Sequence, residues 1–130
     1  IQKGDVSLTE ARDQNYNVTC FVARNYTQFL SRNYDTDGLN HWCEAINHHT
    51  QSMQEIAYGF VFSTECSNKN LSNTEYVKML YRGCFDREGD AAGISDWTNA
   101  LNSGMMDRTQ VFWGFANSQE FANMVQSYHL

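Results

Sequence analysis

Apolar positions along the chain recur at helical spacing and never in strict alternation. In Val18–Leu30 the side chains of Val22, Tyr26, Phe29 and Leu30 fall three or four residues apart, which predicts a helix with one buried face. A second stretch of the same kind carries Val77, Leu80, Tyr81, Cys84 and Phe85. Shorter periodic runs follow each: Leu39, Trp42 and Ile46 within about Leu39–Asn47, and Ile94, Trp97 and Leu101 later in the chain. A third pair has Met53, Ile56, Ala57 and Phe60 in Met53–Ser63, matched by Val111, Phe112 and Phe115. Ser52-x-x-Glu55, Ser72-x-x-Glu75 and Asp107-x-x-Gln110 supply helix starts of the capping-box type.

The pairing of these runs is an internal duplication. Residues 21–66 align without a gap on 76–121 at an offset of 55, with identities at 12 of 46 positions. These include Val22/Val77, Tyr26/Tyr81, Arg32/Arg87, Asp35/Asp90, Gly38/Gly93, Trp42/Trp97, Gly59/Gly114, Phe60/Phe115, Ser63/Ser118 and Glu65/Glu120. The predicted fold is all-α: two fused three-helix repeats, about 18–66 and 73–121, sharing one core within a single domain over 16–130. A terminal helix containing Phe121–Tyr128 completes it, and the polar, aperiodic residues 1–15 read as a lead-in or linker.

Composition narrows the function. The chain is 42% hydrophobic and 14% aromatic, which excludes disorder, and no apolar run reaches the length of a membrane span. A net charge of −6 has the wrong sign for general binding to nucleic acid or to an anionic membrane surface. No G-x-S-x-G, phosphate-binding loop, dinucleotide fingerprint or H-E-x-x-H occurs, so neither an enzyme nor a cofactor is expected.

The duplicated positions carry a resemblance. Phe21-Val22, Tyr26, Arg32, Asp35, Gly38-Leu39, Trp42, Gly59-Phe60, Ser63 and Glu65 make a spaced pattern. It returns as Tyr76-Val77, Tyr81, Arg87, Asp90, Gly93-Ile94, Trp97, Gly114-Phe115, Ser118 and Glu120. This resembles the bacterial domain-of-unknown-function family 4214, over about 105 of the 130 residues. The run Ala57–Ser63 with Asn70–Asn73 is similar to members from gut Clostridia, and the family distantly resembles phycobilisome linkers. The resemblance implies a secreted or surface bacterial protein in which such domains sit beside other modules of the same chain. It brings no catalytic residues. The sequence departs from the pattern at Asn25, where leucine is usual, and at Cys66, where the second copy has Phe121.

The repeated Arg-x-x-Asp-x-x-Gly segment has a structural explanation. Asp35 and Asp90 can cap the second helix, and Arg32 and Arg87 can pair with Glu65 and Glu120. A sharper alternative exists in the first copy, where Asn33, Asp35, Asp37 and Glu44 fall at calcium-loop positions 1, 3, 5 and 12. The second copy loses two of these ligands, so calcium is not the favoured reading. Off the apolar stripe, Tyr58 lies about 140° around its helix from Met53, at about 100° per residue. Trp113 is its counterpart, with Phe62 beyond. These three aromatics either bury between the repeats or form a platform for a partner.

The expected function is therefore a non-catalytic binding or attachment module, extracellular or on the cell surface, engaging a protein or glycan through Tyr58, Phe62 and Trp113. A structural spacer or assembly module is the alternative, and a calcium-stabilised module a third. Four cysteines without a C-x-x-C suggest two disulfides, with four buried free thiols as the competing reading. If consecutive helices run up and down, Cys43–Cys66 with Cys20–Cys84 is the pairing that keeps bonded ends together.

Overall fold

A computed structural model describes residues 16–130; the lead-in at 1–15 lies outside the described residues. The described chain is helical with no strand. The first copy comprises α1 (Tyr16–Leu30), α2 (Thr36–Asn47), α3 (Met53–Val61) and a single turn, α4 (Thr64–Ser67). The second comprises α5 (Asn73–Phe85), α6 (Ala91–Asn102), α7 (Arg108–Ala116) and α8 (Gln119–Ser127).

Each copy thus has four helical elements where periodicity suggested three. The cause is a serine. The Ser63 hydroxyl donates to the Phe60 carbonyl, ending α3, and accepts the N–H of Cys66, starting α4. Ser118 does the same with Phe115 and Phe121. The expected terminal helix, α8, is therefore the second copy's fourth element. Its twin α4 stops after one turn, and the chain soon reaches Asn70 in a left-handed conformation (φ 51°).

α1 and α5 occupy the middle: α1 packs on α2, α3, α4 and α5, and α5 packs on α6, α7 and α8. Phe21, Val22, Phe29, Leu39, Ile56, Phe60, Val77, Leu80, Phe112, Phe115 and Phe121 are all at most 2% exposed and belong to one continuous core. The Phe29 ring lies flat against the backbone of Gly83, where any Cβ would collide with it, so α1 and α5 approach closely. Beside that contact the buried Arg24 side chain donates to the carbonyls of Gly83 and Arg82, to Asn25 and to Asp86, closing the C-terminus of α5. Asp86, in the left-handed region at φ 60°, turns the chain out of the helix there.

The disulfides expected at Cys43–Cys66 and Cys20–Cys84 are not formed; all four thiols are free. The up-and-down assumption misplaces the sulfurs. The Cys43 sulfur faces α1, 3.8 Å from the Thr19 hydroxyl, and the Cys66 sulfur faces α5, 3.6 Å from the sulfur of Met79. Cys84 is fully buried in the core, while Cys20 is half-buried. Burial pushes the Cys84 thiol up to about 12 and raises those of Cys43 and Cys66.

Candidate functional site

The duplicated motif builds the same cradle twice. After α1 the chain turns, and Asp35 caps α2 by accepting the Gly38 N–H at 2.6 Å, which holds its carboxyl below the usual range. Arg32 spans the turn: it donates twice to Glu65 (2.6 and 2.9 Å), once to the Asn33 carbonyl and once to Asp35. Its guanidinium lies 4.9 Å above the Tyr26 ring. Tyr26 meets Phe60 edge-on at 4.8 Å, and Trp42 covers Phe60 at 5.1 Å. Gly59 gives Trp42 its place, since a Cβ there would come within 2.5 Å of the indole.

In the second copy Asp90 caps α6 through the Gly93 N–H at 2.6 Å, and Arg87 holds Glu120 with both nitrogens. Tyr81 and Trp97 flank Phe115 at 4.9 and 5.1 Å. The arginine beside each glutamate holds its carboxyl below the ordinary glutamate range. Arg32, Asp35, Gly38, Trp42 and Glu65, with Arg87, Asp90, Gly93, Trp97 and Glu120, are thus engaged with one another within the fold.

The calcium candidates do not form a loop. Asp37 lies in the first turn of α2 and Glu44 further along the same helix, while one Asp35 oxygen takes the Gly38 N–H and the other takes Arg32. Asn33 lies in the turn before the cap. Among the described residues no three His, Cys, Asp or Glu side chains gather as a metal site would require. Helix α2 starts inside the calcium-loop pattern, so its four side chains are spread over a turn and a helix.

The off-stripe aromatics do meet. Tyr58 of α3 stacks on Trp113 of α7, with centroids 5.8 Å apart and planes 23° from parallel. Phe62 packs on Tyr58 at 4.6 Å, and both rest edge-on against the buried Phe112 at 5.8 and 5.7 Å. Tyr58 is 38% exposed; Phe62 and Trp113 are half-buried. Because Tyr58 and Trp113 are twins in the duplication, α3 and α7 bring equivalent positions face to face, and the seam between repeats surfaces as an aromatic strip.

Sequence reasoning did not find Phe112 as the base of this strip, because on its own helix it belongs to the apolar stripe. Arg24 also escaped it. The available signal was the unlike pair Arg24/Met79 in the aligned copies.

Residues 7–70 and 61–125 each match the family described as Domain of unknown function (DUF4214), and the chain belongs to that family as two overlapping copies of its domain. No curated protein matches the chain. No solved structure matches it.

Proposed function

We propose that this chain is a non-catalytic binding or attachment module of a secreted or surface bacterial protein. On this reading it engages an extracellular protein or glycan, alongside other domains of the same chain and without a cofactor. The observation that carries the reading is the stacked, partly exposed Tyr58–Trp113 pair with Phe62, an apolar and rigid surface at the seam of the two repeats. Aromatic rings at such a place provide contact area at low conformational cost, the usual character of an anchoring patch. The engagement of every duplicated motif residue within the fold supports the second reading, a spacer or assembly module, since it leaves those residues no ligand to hold.

Pull-down against mucin, peptidoglycan and host glycoproteins, followed by a glycan array, separates the two readings. Binding that Tyr58→Ala with Trp113→Ala weakens at least about tenfold, with unchanged helicity, supports the module as a binder. Retention by no ligand, or retention that the double substitution leaves intact, overturns the role of the strip.

A further inference from the structure

In this chain of net charge −6 most arginines are spent on acids. Arg24 pairs with Asp86, Arg32 with Glu65, Arg82 with Glu88 and Arg87 with Glu120. Arg108, the first residue of α7, is the exception among the described arginines. Its Nε and Nη2 donate to neutral oxygens, those of the Asn73 side chain and the Leu71 carbonyl, and its guanidinium lies 4.7 Å above the Tyr76 ring. Among the described residues Nη1 has no acceptor. The group is held in one place with its charge unanswered.

Arg108 stands at the rim of a pocket of about 110 Å³ between α4 and the first turns of α5 and α7. Buried Cys66 and Tyr76 form its floor, and half-exposed Phe62 and Leu71 with exposed Ser67 complete the rim. Small-molecule clefts run to about 300–1,000 Å³, so this one has room for a single side chain. Two cations bear on its floor. Burial pushes the Cys66 thiol up, and Lys69 and Arg108 both act against it. Glu65, the acid that acts with burial, is already clamped by Arg32, and the carboxylate of Asp107 is engaged as the cap of α7. The equivalent place on the first copy has Phe121, Ala122 and Gln126 for Cys66, Ser67 and Leu71, and Met53 for Arg108. That place is lined by apolar surface and amides without a cation.

We propose that this pocket receives the C-terminal residue of a partner protein, its aliphatic side chain against Phe62, Leu71 and Tyr76 and its carboxylate on Nη1 of Arg108. An apolar hollow the size of one side chain with a cation at its edge asks for an aliphatic group and an acid a few ångströms apart. A chain terminus carries both on one residue, whereas an internal Asp or Glu brings the acid alone. The hydrogen bond from the guanidinium is charge-assisted, and because Asn73, Leu71 and Tyr76 already fix the arginine, little side-chain freedom is lost on binding. Phe62 belongs to both the pocket and the aromatic strip, packing on Tyr58 at 4.6 Å, so a chain leading into the pocket passes over the strip. The proposal thus rests on the reading of this face as a binding surface and names the protein terminus as what it binds.

The test is titration of the intact chain, followed by amide NMR, with a short acetylated peptide ending in leucine as the free acid, its C-terminal amide, the same peptide ending in lysine, and isovalerate. Saturable shifts around α4 and the starts of α5 and α7 with the free acid, at least about tenfold weaker with the other three, are the expected result. Arg108→Met, which installs the twin residue, should weaken binding by at least about tenfold. Ser67→Glu, which sets an acid at the exposed rim without touching the Arg108 contacts, should do the same and decides the matter if Arg108→Met does not fold. Lys78→Ala, which removes a charge elsewhere on α5, should leave the affinity unchanged. No saturable shift at millimolar peptide, equal binding of the amide, or isovalerate as good as the peptide overturns the proposal. Binding that Tyr58→Ala with Trp113→Ala weakens but Arg108→Met and Ser67→Glu leave intact keeps the strip and overturns the pocket.

Discussion

Cys84 illustrates what burial does to a single residue. Its thiol is fully enclosed, and water is the main thing its thiolate would miss. A folded-state pKa raised above the unfolded value of about 8.5 makes a contribution to stability that is whole below that pH. As pH rises from about 8.5 towards 12, the unfolded chain loses protons that the folded chain keeps, and stability falls. Cys43 and Cys66 shift in the same direction. Urea midpoints should therefore drop steadily above about pH 8.5, with a shallower slope after Cys84→Ala. In the native state a thiol reagent should label Cys20 first and reach the other three only on unfolding. Non-reducing peptide mapping that found any cross-linked pair would contradict the free-thiol structure.

At the scale of the element, the end of α5 depends on a side chain from another repeat. The last carbonyls of a helix have no partner within it; Arg24, brought by α1, meets that of Gly83 and joins the Asp86 N–H on that of Arg82. Arg24→Met, which copies the twin residue Met79, preserves much of the volume but leaves the Gly83 carbonyl without its donor and takes one donor each from the Arg82 carbonyl, which keeps the Asp86 N–H, and from Asp86, which keeps Gln28 and Tyr128. The expected cost is about 1–3 kcal/mol, read as a lower chemical-denaturation midpoint at unchanged m-value. A variant as stable as the parent would mean that water replaces the guanidinium without penalty. The short α4 follows the same logic: its Ser63 cap is as good as that of Ser118, but Cys66 provides less buried surface than Phe121 at the twin position.

For the whole molecule, the two arginine–glutamate clamps set the acid limit. Each joins the turn after the first helix of a repeat to the start of its fourth. Glu65 and Glu120 titrate lower when folded than when unfolded, so their contribution is present above the unfolded value of about 4.3 and is lost as pH falls through the folded one. Side chains about two-fifths exposed are screened, and each clamp should be worth no more than about 1 kcal/mol. Thermal midpoints should fall below about pH 4.3, and Glu65→Gln with Glu120→Gln should flatten part of that fall while lowering the midpoint at pH 7. An unaltered acid profile in the double variant would remove the clamps from the account.

What was legible in the sequence was whatever short-range physics writes there. Helical period, the Ser52, Ser72 and Asp107 caps, the buried stripes, the duplication and the Arg32–Glu65 and Arg87–Glu120 partners all follow from residue type and spacing, because turns and caps close over three or four residues and a duplicated pattern calibrates itself. The serine that splits each third helix from a fourth was visible as Ser63 and Ser118, but one polar residue amid an apolar run does not announce a restart. Tertiary structure decided the rest. It put Cys43 against Thr19 and Cys66 against Met79, stacked Tyr58 on Trp113 and carried Arg24 to the end of α5. Each of these depends on the rotation and spacing of helices far apart in the chain, which the summed packing of both repeats settles and no local pattern encodes.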